Sequence, residues 1–250
     1  MLRGIYTSAT GMEAQKDQQS LIADNLANSN TSGFKAVRHI YQSFDTHPLM
    51  NSVTGQNMGE ISHGIETYST SYDFSQGALR QTGNPLDIGI QGTGFFAVQD
   101  INGNVGYTRN GHFTLDREGY IVTQAGDYLL DQGQAPIFLG FQGVRDFTVL
   151  RNGNLVVNGD YVARLNTFEF PEDAKIVRQA GDKYTTELGA ALLSSTNSTL
   201  VQGFVENSNV SPVKTSAQMV QVMRGYEANQ RALRAQTDTL QLLMQLGQNI

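Results

Sequence analysis

The side chains best suited to chemistry are few, and their spacing argues against most catalytic and metal sites. The four histidines form neither an HxH pair nor an HExxH motif; they are His39, His47, His63 and His112. The chain has no cysteine, which excludes disulfides, cysteine-ligated zinc and a cysteine nucleophile. The sequence therefore predicts no metal site, no cofactor and no catalytic residue.

Two short runs resemble binding loops only in part. Gly89–Gly94 has the order GxxGxG and precedes a strand-like segment, whereas a phosphate loop needs a following helix whose N–H groups cradle the phosphate. Asp100–Asn104 begins like a calcium loop, but its glycine comes fourth rather than sixth and the twelfth position is not glutamate. Both runs are predicted to be tight turns. The many central carboxylates leave a glycosidase-like pair open as an alternative.

Composition excludes several classes of protein. Of the 250 residues, 39% are hydrophobic and 16% charged, and the net charge is −6. A pI near 5.2 argues against a nucleic-acid partner. No window approaches the ~18 consecutive apolar residues of a membrane span, and the first residues lack the apolar stretch of a cleavable secretory signal. We therefore expect a folded chain with no nucleic-acid partner and no membrane span.

The distribution of residue types divides the chain into two ends and a centre. Of the 26 glycines, 18 lie between Gly77 and Gly203, and all five prolines lie between Pro48 and Pro212. Residues 1–40 carry four basic and three acidic side chains and residues 213–250 carry four and two, which leaves an excess of nine negative charges in the centre. Two helix-compatible ends thus flank a glycine-rich, acidic centre.

Both ends are predicted to be amphipathic helices, from about Arg3 to Asn28 and from about Val213 to Leu246. Pro212 suits the first turn of the second helix, with Ser211 as its cap. Apolar positions recur at intervals of three and four, the heptad spacing of coiled coils. The first stripe is Leu2, Ile5, Ala9, Met12, Lys16, Gln19, Ala23 and Leu26. The second stripe is Met219, Val222, Tyr226, Asn229, Leu233, Gln236, Leu240 and Leu243.

Neither helix can bury its stripe alone. The two helices therefore pack against each other or against neighbouring copies, or both lie on the surface of one globular core. Polar residues interrupt the middle of both stripes, and such residues set the register of a helix pair.

The centre is predicted to be β-structure. Four Asn-Gly dipeptides, at 102–103, 110–111, 152–153 and 158–159, favour type I′ hairpin turns because both central residues need positive φ. The predicted strands are Gly94–Gln99, Gly106–Thr108, His112–Leu115, Tyr120–Thr123, Ile137–Leu139, Phe147–Leu150, Leu155–Val157, Val162–Phe170 and Val201–Val205. A strand every 8–12 residues or so indicates an antiparallel sandwich or barrel.

The sequence therefore predicts an α+β fold in which the terminal helices pair as a coiled-coil-like layer beside a mainly antiparallel β domain. Residues 1–40 and 206–250 form a discontinuous helical domain, and residues 75–205 form the β domain. Residues 41–74 are polar with scattered large apolar side chains, and we expect an extended connector there.

Several motifs together resemble one protein family. The runs Asp24–Lys35, Gln76–Ile88, Gly92–Phe96, Tyr107–Asp116, Ser208–Val210 and Arg224–Asn229 resemble the signatures of the bacterial flagellar basal-body rod family, of the FlgF-like proximal or FlgG-like distal type. The motif residues are Asn25, Leu26, Ala27, Asn28, Gly33, Phe34, Asn84, Pro85, Leu86, Asp87, Ser208, Asn209 and Val210. They cover both ends and the centre, and the sequence does not distinguish the proximal from the distal type.

The resemblance implies a structural protein and not an enzyme. It implies assembly with copies of itself and with other rod and hook subunits into a helical, hollow shaft in the basal body, with the terminal helices inside and the β domain outside. It also implies export across the cytoplasmic membrane by the flagellar export apparatus without signal cleavage. The predicted assembly residues are Leu2, Ile5, Met12, Leu26, Met219, Val222, Tyr226, Leu233, Leu240 and Leu243.

Two alternatives stay open at this point. One is a hook or hook-like junction component of the same family, although 250 residues leave little room for the further outer domains of a hook protein. The other is a β-sandwich binding module or enzyme with oligomerising helices, which would need a cluster of carboxylates or aromatic residues in a cleft.

Overall fold

The structure is a computed structural model, and it describes residues 2–44, 46–50, 55–61, 64–140, 147–171, 174–179, 182–186, 193–195 and 198–248. The side chains of Leu2, Arg3, His47, Leu49, Glu60, Ile61, Leu193 and Gln248 lie outside this description. His63, one of the four histidines, also lies outside the described residues. The chain forms two compact units.

Unit 1 is built from residues 1–29, 36–73 and 210–250, and it contains both helices. Helix α1 spans Leu2–Ala27 and helix α2 spans Pro212–Gln248, close to the predicted bounds. The end of α1 is fixed by Asn28 and Ser29, because Asn28 Nδ2 donates to Asp24 O (2.9 Å) and Ser29 Oγ to Leu26 O (2.7 Å). These side chains bond carbonyls of the last helical turn, which also accept hydrogen bonds from the backbone amides of Asn28 and Ser29.

Helix α2 begins as its sequence predicts, with Pro212 as its first residue and the amide of Thr215 donating to Ser211 O (2.9 Å). Proline is suited to this position because its missing N–H would have no helical partner there. Within the described residues, neither helix is long and apolar enough throughout to cross a lipid bilayer.

Unit 1 also contains a ribbon of paired strands where the sequence suggested an extended connector. The ribbon strands are β1 (Val37–Ser43), β2 (His47–Met50), β3 (Asn57–Ile61) and β4 (Ile65–Tyr72). β1 pairs antiparallel with β4, and β2 with β3. A two-stranded ribbon is only marginally stable alone. Here Tyr41 Oη donates a hydrogen bond to Ala14 O on α1 (3.2 Å). The pKa of Tyr41 is raised, mainly by burial of its hydroxyl and to a smaller extent by the negative charge of Asp17.

Unit 2 is built from residues 30–35 and 74–209 and is mostly antiparallel β-structure. Its strands are β5 (Leu79–Gln81), β6 (Ile88–Gln91), β7 (Phe95–Gln99), β8 (Val105–Thr108), β9 (Phe113–Leu115), β10 (Ile121–Thr123), β11 (Tyr128–Leu129), β12 (Phe147–Val149), β13 (Asn154–Val157), β14 (Asp160–Arg164), β15 (Thr167–Glu169), β16 (Ile176–Arg178), β17 (Lys183–Thr186), β18 (Leu193–Ser194), β19 (Thr199–Gln202) and β20 (Phe204–Glu206).

The largest sheet has the order β16-β17-β8-β7-β11-β10-β9, with β15 pairing both β7 and β18. Strands β12, β13 and β14 form a separate meander, β6 pairs with β19, and β5 with β20. The core of unit 2 consists of buried apolar side chains from most of these strands: Ile88, Ile90, Phe96, Val98, Phe113, Ile121, Leu129, Ile137, Phe147, Val149, Leu155, Leu165 and Leu200.

The prediction of a strand at Ile137–Leu139 is wrong. Ile137 is buried, but Pro136 and Phe138 make only isolated bridges, to Leu130 and Tyr120. Pro136 has no N–H to donate, so a regular ladder cannot pass through it. The predicted strands Val162–Phe170 and Val201–Val205 are each divided, into β14 and β15 and into β19 and β20.

Only one of the four Asn-Gly dipeptides is a type I′ turn. Asn158 and Gly159 both have positive φ, 53° and 91°, and connect β13 to β14, as the hairpin rule requires. At Asn110-Gly111 the glycine instead allows the backbone to pass close to that of Ile88, because a Cβ on Gly111 would lie 1.8 Å from Ile88 O. In Gly89–Gly94 the predicted turn is found at Gly92–Gly94, where both glycines have positive φ, whereas Gly89 lies within strand β6.

Candidate assembly surfaces

The two helices pair antiparallel along a seam of glycines that face amide side chains. A Cβ on Gly11 would lie 3.0 Å from Asn229 Nδ2, and one on Gly225 would lie 2.4 Å from Gln15 Nε2. The three facing pairs are Gly4 with Gln236, Gly11 with Asn229, and Gln15 with Gly225. Residue i of α1 therefore faces residue 240 − i of α2. Glycine permits this approach because it has no side chain.

Polar contacts accompany the glycines in this seam. Asn229 Nδ2 donates to Gln15 Oε1 over 3.1 Å, so Asn229 makes the polar pairing that its place in the stripe predicts. Its partner is Gln15 and not Lys16 or Gln19, the polar positions counted in the first stripe. Among the described residues, the buried Gln236 Oε1 has no hydrogen-bond donor.

The predicted assembly residues differ in burial on the single chain. The side chain of Leu2 lies outside the described residues, and Val222 is buried. The half-buried members are Ile5, Met12, Leu26, Met219, Leu233 and Leu240. Tyr226 and Leu243 are the exposed members, at 37% and 48%. In the first stripe Ala9, Lys16 and Ala23 are exposed, because the seam follows Gly4, Gly11 and Gln15, one position away from the predicted phase.

The last turns of α2 extend past the beginning of α1. In the observed register Leu2 faces residue 238, so the overhang, defined as residues 239–248, has no part of α1 opposite it. The overhang contains no charged residue. Four of its side chains are between 48% and 64% exposed: Leu242, Leu243, Met244 and Leu246.

The overhang continues the stripe that faces α1 farther along the helix. Positions 222, 225, 229, 233, 236, 240 and 243 follow intervals of three and four, so they lie on one face of α2. A second series, Arg231, Arg234, Asp238, Gln241, Gln245 and Gln248, forms a polar face. The overhang is thus amphipathic, with apolar side chains on one side of the helix and polar side chains on the other.

The residues of the first family motif occupy the point where α1 ends. Asn25 is buried, and its side-chain amide pairs with the backbone of β1 like a strand: Nδ2 donates to Val37 O (2.8 Å) and Oδ1 accepts from Val37 N (2.9 Å). Leu26 and Asn28 are half-buried and Ala27 is exposed. The motif therefore joins α1 to the first strand of the ribbon.

The strap, defined as residues 30–35, belongs to unit 2 although it is remote in sequence from the rest of that unit. Gly33 has φ +72° and its amide donates to Glu206 O (2.8 Å). Phe34 is buried, and the Arg178 guanidinium lies 4.9 Å from the centre of its ring. Lys35 is completely buried, which requires a partner for its charge.

The partner of Lys35 is Glu206, at the centre of a buried charge cluster. Glu206 Oε1 accepts from Lys35 Nζ (2.6 Å) and from the amide of Gly77 (2.7 Å), and Oε2 accepts from Arg109 Nη1 (3.2 Å). Both cations and the carboxylate are at most 2% exposed. No sequence spacing indicated this cluster, because Lys35 and Arg109 lie 171 and 97 residues from Glu206 along the chain.

The motif at residues 84–87 forms a turn that is held by side-chain hydrogen bonds and an ion pair. Asn84 Oδ1 accepts from the amide of Leu86 (3.2 Å), and Asn84 Nδ2 donates to Asp87 Oδ1 (3.1 Å). Pro85 O accepts from Gln202 Nε2 (2.9 Å), and the buried Asp87 pairs with His112 Nδ1 (2.7 Å). His112 therefore has a structural partner.

Two further polar side chains, Glu169 and His39, have hydrogen-bond partners in the described part of the structure. Glu169 accepts hydrogen bonds from the hydroxyls of Ser195 and Thr93, which lower its pKa. His39 Nδ1 lies 3.3 Å from Thr70 Oγ1 on the ribbon. In the described part of the chain, no three histidine, aspartate or glutamate side chains are grouped as metal ligands.

Asp100 forms a turn where the sequence begins like a calcium loop. Its Oδ2 accepts from the Asn104 side-chain amide (3.0 Å), and its Oδ1 accepts from the backbone amides of Asn102 (2.9 Å) and Asn104 (2.8 Å). These bonds, led by that of the Asn104 side chain, hold the pKa of Asp100 below its usual range. The bonds are thus intact above the unfolded pKa and are lost as the pH falls through the lowered value. We expect an NMR titration of Asp100 with a midpoint below that of an aspartate in an unfolded peptide, and no shift on adding calcium; a calcium-dependent shift would contradict the turn assignment.

Comparison with known proteins decides the family. Three family models match the chain: "Flagella basal body rod protein" over residues 5–35, "Flagellar hook protein FlgE/F/G D1 domain" over 89–177, and "Flagellar basal body rod FlgEFG protein C-terminal" over 201–246. The rod protein FlgG of Buchnera aphidicola subsp. Schizaphis graminum is 30% identical over 98% of this chain and 100% of its own length. The chain belongs to the flagellar basal-body rod protein family.

Other rod family members are similar over nearly the same length. The rod protein FlgF of Caulobacter vibrioides is 30% identical over 91% of both chains. The rod protein FlgF of Mesorhizobium japonicum is 31% identical over 95% of this chain and 94% of its own. The rod family models cover α1 with the strap, the central β region, and β19 to α2. The resemblance found in the sequence is confirmed.

Proposed function

We propose that the chain is a structural subunit of the flagellar rod that polymerises helically into a hollow shaft and transmits torque from motor to hook. The observation that carries this proposal is the overhang of α2. It presents uncharged, largely leucine surface on a helix whose preceding turns are paired with α1. A contiguous apolar surface that is exposed on a single chain marks a site where a partner binds.

In this proposal a neighbouring copy supplies the missing helix. The overhang continues the α1-facing stripe in the same spacing, so the surface it presents fits another helix of the α1 kind. A contact between unlike surfaces of two copies repeats and, when its rotation does not close a ring, produces an open helical polymer. Burying one leucine side chain contributes about 2 kcal/mol.

The proposal also covers the place of each unit in the shaft, the neighbouring subunits and the export route of the chain. We place the helices in the inner layer of the shaft and the β unit in the outer layer, with other rod and hook subunits at the two ends. The chain performs no catalytic step and takes no nucleic acid. It travels unfolded through the flagellar export apparatus without cleavage, and a sequence free of cysteine avoids crosslinks during that passage.

The test is purification of hook–basal bodies from a strain in which this chain is deleted and restored from a plasmid. The deletion strain is expected to be non-motile and to yield basal bodies that lack a complete rod, and the plasmid is expected to restore both. In a strain without a functional export gate, the restored chain is expected to remain in the cytoplasm. Complete rods in the deletion strain, or the chain in the hook and not in the rod, would contradict the proposal.

A further inference from the structure

The chain passes between its two units at four points, and residues of unit 2 next to three of these points are joined by hydrogen bonds. Along the sequence the crossings follow residues 29, 35, 73 and 209. Beside three of them, Lys35 Nζ donates to Ser75 O (2.7 Å), Asn209 Nδ2 to Ser75 O (3.2 Å), and Asn209 N to Phe34 O (3.4 Å). The segments that leave unit 2 are therefore bonded to one another where they leave it.

The buried charge cluster lies at the same crossings. Glu206 binds the strap through Lys35 and through the amide of Gly33, and it binds the returning segment through the amide of Gly77. Arg109 binds the second carboxylate oxygen from the segment between β8 and β9. Hydrogen bonds between charged groups are about twice as strong as neutral ones, and burial strengthens them further.

We propose that these groups form a mechanical clamp, centred on Lys35 and Glu206, that resists tension on the chain where it enters and leaves unit 2. Tension applied to a crossing segment reaches the clamp within a few residues, before it reaches the core strands. The inference rests on the proposed function only for the source of the load, which is the torque on the shaft.

The alternative is that Lys35 and Glu206 add stability without regard to direction. The two readings differ in how the effect of a substitution depends on where the chain is pulled. If the groups form a clamp, their substitution raises the unfolding rate mainly when the load passes through a crossing. If they only add stability, the substitution raises the unfolding rate equally for any pair of attachment points.

The experiment is single-molecule pulling on the full chain in two geometries. Because the chain has no cysteine, attachment points can be introduced as Ser216→Cys with Glu118→Cys, which places a crossing between them, or as Glu118→Cys with Asp160→Cys, both within unit 2. All three positions are exposed. The test substitution is Lys35→Met, which removes the charge and keeps a long side chain.

Across the crossing, Lys35→Met is expected to raise the unfolding rate of unit 2 at a fixed force by about 100-fold or more, since it breaks the buried Lys35–Glu206 pair and leaves Arg109 as the remaining charged partner of Glu206. Within unit 2 the same substitution is expected to raise that rate less than about tenfold. The control is Lys183→Met, which breaks the Lys183–Asp127 pair of unit 2 (2.9 Å) and is expected to show no preference for either geometry.

Asn209→Ala provides a milder variant should Lys35→Met fail to fold. It removes the side-chain bonds to Ser75 and leaves the buried charge cluster in place, and an effect of about tenfold confined to the crossing geometry is expected. Equal acceleration in both geometries, or none in either, would overturn the clamp. These outcomes are read on the isolated chain, so they are independent of whether the chain enters a rod.

Discussion

Replacing Gly33 with alanine is expected to unfold unit 2, with a loss of more than about 4 kcal/mol and a fall in melting temperature of more than about 10 °C. A Cβ at this position would lie 2.3 Å from Asn110 N and 2.4 Å from Arg109 C. These atoms are backbone and cannot rotate away as the end of a side chain could. The strap would have to leave its site and remove Lys35 from Glu206.

Gly83→Ala is the matched control for this substitution. Gly83 has φ +75°, close to the +72° of Gly33, but nothing lies within 4 Å of its added Cβ. The control therefore contains the conformational cost without the collision, and that cost is about 1–2 kcal/mol. Calorimetry of both variants measures the difference. Equal losses of stability would show that backbone conformation alone requires the glycine and that the strap is not tightly packed.

Replacing Leu243 with aspartate is expected to abolish assembly and motility and to leave the monomer folded. Leu243 is 48% exposed in the single chain, so a charge there has access to water until a partner covers it. On assembly the carboxylate would be buried without a partner, at a cost of about 3 kcal/mol or more. That corresponds to at least roughly 100-fold weaker subunit addition.

Gln245→Asp is the control for the charge itself. It adds the same group two residues away, on the polar face that contains Asp238, Gln241 and Gln248. We expect this variant to assemble, swim and give the same circular dichroism as the parent chain. Swimming by the Leu243→Asp strain, or failure of both strains alike, would show that the overhang is not an assembly surface of the kind proposed.

The helices could be predicted from sequence because their periodicity is local. Both helices begin and end within two residues of the predicted bounds, and Pro212 and Asn28 mark their ends as their chemistry requires. The facing residues of α1 could not be predicted in the same way. Counting apolar residues favours Leu2, Ile5 and Met12, whereas the residues that face α2 side chains at close range include Gly4 and Gly11.

The buried charge cluster and the ribbon were missed for different reasons. Lys35, Arg109 and Glu206 become neighbours only in the fold, and each alone is an ordinary charged residue in the sequence. The ribbon contains exposed apolar side chains such as Met58 and Tyr68, so its strands do not show the apolar-in, polar-out alternation of a half-buried strand. Its polar composition resembled a connector for that reason.

The strap explains why the first family motif continues past the end of α1. Asn25 fixes the start of β1 in unit 1, whereas Gly33, Phe34 and Lys35 are held within unit 2. A motif that served only α1 would end where α1 ends. This motif instead contains residues of both units, and the spacing of apolar residues along the sequence does not indicate which unit a residue joins.

The most direct test of the account is electron cryomicroscopy of the intact basal body at a resolution that identifies side chains. We predict this chain in the shaft between motor and hook, with the overhang of α2 covered by a helix of a neighbouring copy and the β unit farther from the axis. The chain located in the hook, or the overhang facing solvent in the assembled shaft, would contradict the account.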